Sequence, residues 1–228
     1  LDRMLELSAS TGEMSEYLKQ HFDTRLQRSA PESPDDVMDE LVRGVREGLI
    51  SQQDAVSIII VLVGAAGEST SSLVGSAVRI LAQDNALQRR LREQPQLIER
   101  YVEEVVRLES PFRGHYRAVL KETKLNGVVI PASARIFLLW AAANRDPAVF
   151  CEPDTLDIER HNTNEHLGFG HGIHFCIGAR LARLEARVIL EELLQQTSSF
   201  SLDSAFPVRH VSSIFVRRLD ALQLKLNP

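Results

Sequence analysis

Apolar residues recur at helical spacing through the first half of the chain. Residues 1–30 have the pattern of one or two amphipathic helices, which a polar break at Ala30–Pro34 ends. Two further helices are predicted at Asp35–Gly48 and Gln96–Glu109. The stretch from Ser51 to Gln83 is apolar on nearly every side at its centre, which predicts a long helix through the core of the molecule.

After these helices the pattern becomes strand-like. Val128–Ile130 and Ile136–Leu139 are short apolar runs, and Asn126–Gly127 favours a hairpin turn just before the first of them. A long irregular connection from Asn144 to His171 follows, and connections of this length usually surround functional sites. The tail from Phe200 has the pattern of short strands. The sequence therefore predicts a mainly α-helical fold with small β-sheets.

Composition narrows the class of protein. The chain has 228 residues, of which 44% are hydrophobic and 25% charged, as expected for a globular domain with a sizeable core. A net charge of −5 gives no reason to expect nucleic-acid binding. Two cysteines do not indicate a disulfide framework and fit a reducing cytoplasm. The charge-poor apolar centre at Ala55–Gly67 is short for a membrane span, so no span is expected.

The segment Phe169–Gly178 contains the strongest candidate chemistry. Cys176 ends a glycine-rich loop and is followed by apolar residues at helical spacing, which places it at or just before a helix N-terminus. Backbone N–H groups and the helix dipole favour a thiolate there. Glycines lack a Cβ and leave room for backbone amides and for a large flat ligand. Such a thiolate is a suitable axial ligand for haem iron. The glycines of the loop are Gly170, Gly172 and Gly178, and the apolar residues at helical spacing are Ile177, Leu181, Leu184 and Val188.

Two simpler interpretations compete with a haem ligand. A lone cysteine is most often a small buried apolar residue. Alternatively, His171, His174 and Cys176 could be three ligands of a zinc ion. Neither interpretation explains the glycines, and structural zinc usually has four ligands with paired cysteines. Cys151 has no metal-ligand spacing to Cys176 and is interpreted as structural.

The loop resembles the cysteine loop of the cytochrome P450 family, F-G-x-G-x-H-x-C-x-G. Each fixed position of that motif is matched, by Phe169, Gly170, Gly172, His174, Cys176 and Gly178. The resemblance implies a haem-thiolate fold of the soluble bacterial type, with heme b as the cofactor. The first motif in this chain that resembles the family is one that lies late in the family's usual order of motifs. Residues 1–228 are therefore expected to form the C-terminal part of a single P450 domain, with the N-terminal part absent from this chain.

A second motif lies in the predicted core helix. Residues 65–70, AAGEST, are similar to the family segment A-G-x-(D/E)-T. The resemblance implies that Ala65 and Ala66 leave space for dioxygen beside the haem, and that Glu68 and Ser69 relay protons. The chain departs from the family by Ala66 in place of glycine and by Ser69 in place of threonine. The serine hydroxyl lacks the neighbouring methyl group that restricts its rotamer.

Two further sets of residues resemble those that hold the haem in the family. Glu104 and Arg107 match the family's E-x-x-R, and Arg160 occupies the place of the arginine that joins this pair. The resemblance implies a buried structural network that holds the cysteine loop in shape. On an exposed helix such a pair would contribute only a few tenths of a kcal/mol. Arg117 and His174 are the candidates for binding the haem propionates.

The resemblance implies a monooxygenase of secondary metabolism that inserts one oxygen atom from O2 into an organic small molecule, by hydroxylation or epoxidation. Its electrons would come from a ferredoxin or flavodoxin in the cytoplasm. Two alternatives stay open: a haem-thiolate enzyme of oxidative coupling or ring formation without oxygen insertion, and a non-catalytic fragment. A partial substrate wall is expected from Phe112, Arg113, Ile214 and Phe215. A basic stripe on the helix after the cysteine would either dock an acidic electron donor or be an ordinary solvated helix face, and it comprises Arg180, Arg183 and Arg187.

Overall fold

The computed structural model describes residues 2–28 and 34–227. The chain forms two compact units, Leu1–Gly67 and Glu68–Pro228. Except for Pro34, the predicted polar break at Ala30–Pro34 lies outside the described residues.

The first unit contains α1 (Asp2–Gln27), α2 (Val37–Arg46) and the first part of α3 (Gln52–Leu81). The helices predicted in this region are confirmed, and the first prediction resolves to a single helix. The side chain of Asp36 begins α2 by accepting the backbone N–H of Asp39 at 3.0 Å. The small core of this unit consists of Leu18, Phe22, Val42, Ala55 and Ile59.

The second unit contains the remaining helices, and α5 (Ile98–Glu109) lies at its centre. Nine of the 12 residues of α5 are buried, so this helix is surrounded by other parts of the chain. The hydroxyl of Tyr101 donates to the carbonyl of Ala77 on α3 at 2.5 Å. The pattern of apolar residues predicts α5 but misses two short helices. The other helices of this unit are α4 (Asn85–Glu93), α6 (Trp140–Ala143) and α7 (Ala179–Gln196).

Small antiparallel sheets complete the second unit, each a pair of strands among the residues described. The predicted hairpin at Asn126–Gly127 is confirmed, because both residues have positive φ, 46° and 83°. The strands predicted in the tail are also confirmed. The pairs are β1 (His115–Ala118) with β4 (Arg135–Leu138), β2 (Thr123–Leu125) with β3 (Val128–Ile130), β5 (Ser199–Leu202) with β8 (Leu224–Asn227), and β6 (Arg209–His210) with β7 (Leu219–Ala221).

The structure differs from the predicted core helix in one respect. The middle of α3 is exposed, and Val61 has 67% of its surface accessible. This helix is also long and apolar enough to cross a membrane by length and composition, contrary to the expectation that no such segment exists. The core helix of a soluble protein can have the same length and apolar composition.

Helix α7 has apolar residues on two of its faces. The buried face, which packs in the core of the second unit, comprises Ala179, Ala186, Leu190 and Leu194. The stripe of Ile177, Leu181, Leu184 and Val188, from which the helix was predicted, is exposed instead. The spacing therefore identified the helix correctly, while a different set of residues faces the core.

Candidate functional site

The cysteine loop is closed by a backbone hydrogen bond. The N–H of Cys176 donates to the carbonyl of Phe169 at 2.9 Å. Gly170 and Gly172 have φ angles of +74° and +71°, a region that residues with a Cβ rarely adopt. α7 begins at Ala179, whose N–H donates to the carbonyl of Cys176 at 3.2 Å. The cysteine thus stands just before the N-terminus of a helix, as predicted.

The surroundings of the thiol fit a haem better than a metal ion alone. Cys176 is exposed, and its neighbours Ile173 and Ile177 have 97% and 89% of their surface accessible. A Cβ on Gly178 would lie 3.9 Å from the sulfur. An accessible thiol between outward-facing apolar side chains suits a flat apolar ligand that carries a metal. Among the side chains that the structure describes, no cluster of three or more His, Cys, Asp or Glu residues could hold a metal ion, which argues against the zinc alternative.

Glu104 lies at the centre of a buried network. Glu104 and Arg107 are fully buried, and the guanidinium of Arg107 donates to both carboxylate oxygens at 2.7 and 2.8 Å. Nε of Arg160 adds a third bond at 3.1 Å, and the N–H of Asp157 a fourth at 3.0 Å. Burial alone would raise the pKa of Glu104, but these donors outweigh it and lower the pKa below its ordinary value.

The remaining donors of the two arginines bind backbone carbonyls in the connection before the cysteine loop. Arg107 donates to the carbonyls of Asn144 at 2.8 Å and Pro153 at 2.6 Å. Arg160 donates to the carbonyl of Cys151 at 2.6 Å, which gives this cysteine a place in the structural network through its backbone. Because every strong donor has an acceptor, the network fixes the course of an otherwise irregular segment.

Asn144 continues this network towards the cysteine loop. The side chain is fully buried, and its Oδ1 accepts the backbone N–H of Leu167 at 2.6 Å. Its Nδ2 donates to Ser110 Oγ at 2.9 Å. From the sequence this residue is expected only to belong to a structural turn at the start of an irregular connection. A buried amide can be recognised only from its partners, and these lie 23 and 34 residues away along the chain.

The sequence does not indicate a second, partly buried cluster, which is centred on the carboxylate of Glu103. Glu103, the neighbour of Glu104, accepts hydrogen bonds from Arg183 on α7 and lies 3.0 Å from Nε2 of His166. The guanidinium carbon of Arg183 lies 4.3 Å from the ring centroid of Phe169. Burial acts to raise the pKa of Glu103, but Arg183 and His166 outweigh it and lower the pKa to about 2.

This cluster changes the interpretation of the basic stripe on α7. Arg183 pairs with Glu103, and Arg187 pairs with Glu99 at 2.6 Å. Two of the three charges are therefore neutralised by carboxylates of α5. The pairing lowers the net positive charge that the stripe presents, and its docking role stays a prediction.

The candidates for the haem propionates lie on separate elements. Arg117 is on β1, is half-buried, and donates from Nη1 to the neighbouring carbonyl of Tyr116 at 2.9 Å. His174 is exposed at the end of a 3-10 turn, Gly172–His174, inside the cysteine loop. A cation and an imidazole of this kind suit carboxylate groups.

The residues of the predicted proton relay lie on α3. Ala65 and Ala66 are exposed on the middle of this helix. The carboxylate of Glu68 is half-exposed and lies 3.2 Å from Nε of Arg218, which comes from the segment just before β7. Ser69 is half-buried. The glutamate thus keeps contact with water while a cation orients it.

The residues of the predicted substrate wall come together although they are a hundred residues apart in sequence. Phe112 forms an isolated antiparallel bridge with Val216, and the N–H of Arg113 donates to the carbonyl of Phe215 at 2.7 Å. The ring of Phe215 contacts those of Tyr116 and Phe137 at centroid distances of 5.9 and 6.1 Å. The exposed Ile214 precedes it. The bridge and the rings create a partly exposed apolar surface.

Comparison with known proteins places this arrangement in a family. The family model for cytochrome P450 matches residues 3–206. Cytochrome P450 144 of Mycobacterium tuberculosis is 40% identical over 223 residues, which cover 98% of this chain and 50% of that protein. The biotin biosynthesis cytochrome P450 of Bacillus subtilis is 37% identical over 182 residues, covering 80% of this chain and 46% of the relative.

The fold is also that of solved structures. CYP109E1 from Bacillus megaterium, in complex with corticosterone, superposes with a TM-score of 0.89 at 29% identity. That comparison covers 98% of this chain and 60% of the other. The chain therefore spans about half the length of the relatives that it matches.

Proposed function

The chain belongs to the cytochrome P450 family, and from this premise we propose that it is the haem-binding C-terminal part of a single P450 domain that acts as a monooxygenase. The proposed reaction inserts one oxygen atom from O2 into an organic small molecule, by hydroxylation or epoxidation. The observation that carries the proposal is the accessible thiol of Cys176 just before α7, in a loop where two glycines adopt positive φ.

The cofactor implied is heme b, and the residues of this chain suit it. Cys176 would bind the iron, and the exposed apolar residues beside it would contact the porphyrin face. Arg117 and His174 would bind the propionates. When bound through the thiolate of Cys176, the haem would supply the reductive activation of dioxygen that oxygen insertion needs.

The buried network contributes position rather than chemistry. Glu104, Arg107 and Arg160 fix residues 144–160 by hydrogen bonds, and Asn144 connects them to Leu167 beside the loop. The connection that leads to the cysteine loop therefore cannot shift without breaking these hydrogen bonds. We assign these residues to retention of the cofactor.

The hydroxyl of Ser69 is the proposed proton donor for oxygen insertion. Its Oγ, on α3, would give up a proton. The half-exposed carboxyl of Glu68 would take a proton from water and pass it to Ser69. Arg218 keeps the carboxylate of Glu68 oriented through its ion pair. Ala65 and Ala66 leave the helix surface free of large side chains at the same place.

The proposed substrate is an apolar organic molecule. The apolar surface around Phe112, Ile214 and Phe215 would form part of its binding wall, with Arg113 at the edge. CYP109E1, a structural relative, binds corticosterone, a molecule of this general character. A ferredoxin or flavodoxin in the cytoplasm would supply the electrons. The part of the fold outside this chain would provide the rest of the pocket.

The spectrum of the reduced carbon-monoxide complex tests the proposal. Holoprotein containing this chain should show the red-shifted Soret band of a thiolate-bound haem. Cys176→His should abolish that band, whereas Cys151→Ser, the matched cysteine control, should leave it intact. A wild-type complex without the red-shifted band would refute the assignment of Cys176.

Product analysis with isotopically labelled dioxygen tests the reaction. Label in the product supports oxygen insertion. A product formed without label would replace this reaction by oxidative coupling or ring formation. Absence of bound haem under conditions that load the relatives would leave the chain a non-catalytic fragment.

A further inference from the structure

We infer that Glu103 is a positioning residue for the cysteine loop, the segment Phe169–Gly178. Its carboxylate orients two side chains, one before the loop and one after it, that together fix the backbone at Cys176. The importance of this arrangement for catalysis rests on the proposed function, in which Cys176 binds the iron. The contacts themselves are properties of this chain.

His166 is the first partner of Glu103. The imidazole is buried, and its Nδ1 accepts the backbone N–H of Gly168 at 3.1 Å. Because Nδ1 accepts, the ring proton lies on Nε2, which donates to Oε2 of Glu103 at 3.0 Å. The carboxylate thereby holds the ring in one tautomer and one orientation. Gly168 is held with it, at a point where a Cβ would lie 2.5 Å from a methyl carbon of Val106.

Arg183 is the second partner. Both Nε and Nη2 donate to the carboxylate of Glu103, the latter at 2.9 Å, which fixes the plane of the guanidinium. That plane lies over the ring of Phe169, with Cζ 4.3 Å from the centroid. The carbonyl of the same phenylalanine accepts the N–H of Cys176 at 2.9 Å. A continuous series of contacts therefore joins Glu103 to the backbone of the cysteine.

The two adjacent glutamates of α5 act on different segments. Glu104 binds the connection before the loop through Arg107, Arg160 and Asp157. Glu103 binds His166 and the arginine of α7 that contacts the loop itself. The role inferred for Glu103 is therefore separate from that of the E-x-x-R network.

The simpler explanation is that Glu103 only joins α5 to α7. The chain contains a matched control, because Glu99 and Arg187 form a pair one helical turn away on the same two helices. Arg187 also lies 3.7 Å from Glu191, so its carboxylate partners are both on these helices. A role limited to joining helices would make Glu103→Gln, like Glu99→Gln, loosen the helices α5 and α7 as much as the cysteine loop.

Amide hydrogen exchange on the full chain tests the inference without haem. In Glu103→Gln, exchange at the N–H of Gly168 and of Cys176 should each accelerate at least about tenfold, because the groups that fix both are released. Glu99→Gln should change neither rate by more than about twofold. Arg183→Lys keeps the charge but loses the stacked guanidinium plane. It should therefore accelerate exchange at the N–H of Cys176, while exchange at the N–H of Gly168 stays close to wild type.

Equal acceleration in Glu99→Gln and Glu103→Gln would overturn the inference. So would a Glu103→Gln variant in which the amides of α5 accelerate by the same factor as those of the loop, since the residue would then only stabilise the helices. Unchanged exchange at both reporter amides would overturn it as well.

The holoprotein provides an independent readout. In Glu103→Gln, the thiolate-type fraction of the reduced carbon-monoxide complex should fall at least about twofold at unchanged haem content, and Glu99→Gln should match wild type. An unchanged fraction would overturn the link to the iron ligand. A wild-type protein without the thiolate spectrum would instead refute the proposed function, while the exchange experiment would still decide how the loop is held.

Discussion

Consecutive side chains on a helix point in directions about 100° apart, so neighbouring residues can have different partners. Glu103 and Glu104 use this property: one faces α7, and the other faces the connection that contains Arg160. Both carboxylates are ionised acceptors with their hydrogen bonds made, which is why their pKa values are lowered despite burial. At the scale of single residues, the role of each glutamate depends on which donors its carboxylate oxygens bind.

Glu104→Ala should leave Arg107 and Arg160 as uncompensated charges next to one another. We expect a loss of about 3–5 kcal/mol in the free energy of unfolding, and mostly apoprotein on purification. Urea denaturation and the haem-to-polypeptide ratio measure the two effects. Glu159→Ala removes an exposed acceptor of Arg90 and Arg100, and should cost less than about 1 kcal/mol. Normal haem occupancy with lost turnover would contradict the structural role.

Ser69→Ala should retain substrate binding and haem reduction but divert electrons to hydrogen peroxide, because the proposed proton donor is lost. Ser69→Thr should couple at least as well as wild type, since the hydroxyl is kept and its rotamer restricted. Coupling is measured as product formed per reduced nicotinamide consumed, with peroxide measured in parallel.

Ser71→Ala is the matched control for the relay. The hydroxyl of Ser71 donates to the backbone carbonyl of Glu68 at 3.0 Å, so its removal should leave coupling unchanged. If Ser69→Ala also leaves the coupling ratio unchanged during oxygen insertion, protons arrive by another route.

At the scale of elements, the cysteine loop depends on close approach to α5. A Cβ on Gly168 would meet Cγ1 of Val106 at 2.5 Å and its carbonyl oxygen at 3.1 Å. Neither atom is at the end of a flexible side chain, so one backbone must move. Helix α5 and the segment 166–169 therefore fit together only with glycine at this position.

Gly168→Ala should lower the free energy of unfolding by about 1–3 kcal/mol, the usual cost of an overpacked site. Gly64→Ala on α3 is the control, because a Cβ there meets open space and alanine is the better helix former. That change should stabilise the chain by up to about 1 kcal/mol. Denaturant unfolding compares the two. A stability of Gly168→Ala equal to or above wild type would show that the packed segments can separate without penalty.

At the scale of the whole molecule, two helices carry more apolar surface than this chain covers. The middle of α3 and the stripe of α7 that begins at Ile177 are exposed, while the opposite face of α7 lies in the core. Because the P450 relatives are about twice as long as this chain, their fold has further elements to place against such faces.

The stability of the molecule should depend on pH through Glu103. Its pKa in the folded chain is about 2, below the ordinary value of 4.5, and the charged or titratable groups facing it are Arg183 from α7 and His166 from the connection. The stabilisation is therefore fully present above about pH 4.5 and disappears as the pH falls towards 2. A pKa difference of this size corresponds to about 3 kcal/mol.

Urea unfolding of wild type and Glu103→Gln at several pH values tests this dependence. The difference in free energy of unfolding between them should be constant from pH 7 to about 5 and should shrink below pH 4.5. A difference that stayed constant down to pH 3 would show that the ionisation of Glu103 does not contribute.

Features encoded by neighbouring residues were predictable from the sequence. They include the glycines that require positive φ, the cysteine before a helix, and the Asn126–Gly127 hairpin. The three-residue spacing of Glu104 and Arg107 is also local, since a helix brings such residues together. The family resemblance located Arg160, 56 residues away in sequence.

The sequence by itself determined the cysteine loop, the longer helices and the family, because short-range geometry and motif spacing depend on adjacent residues. Only the tertiary structure decided which charges meet. Glu103 and Arg183 are 80 residues apart and resemble ordinary solvated helix residues until α5 and α7 pack together. The same holds for α7, whose two apolar faces look alike in sequence, since burial depends on which neighbour packs against each face.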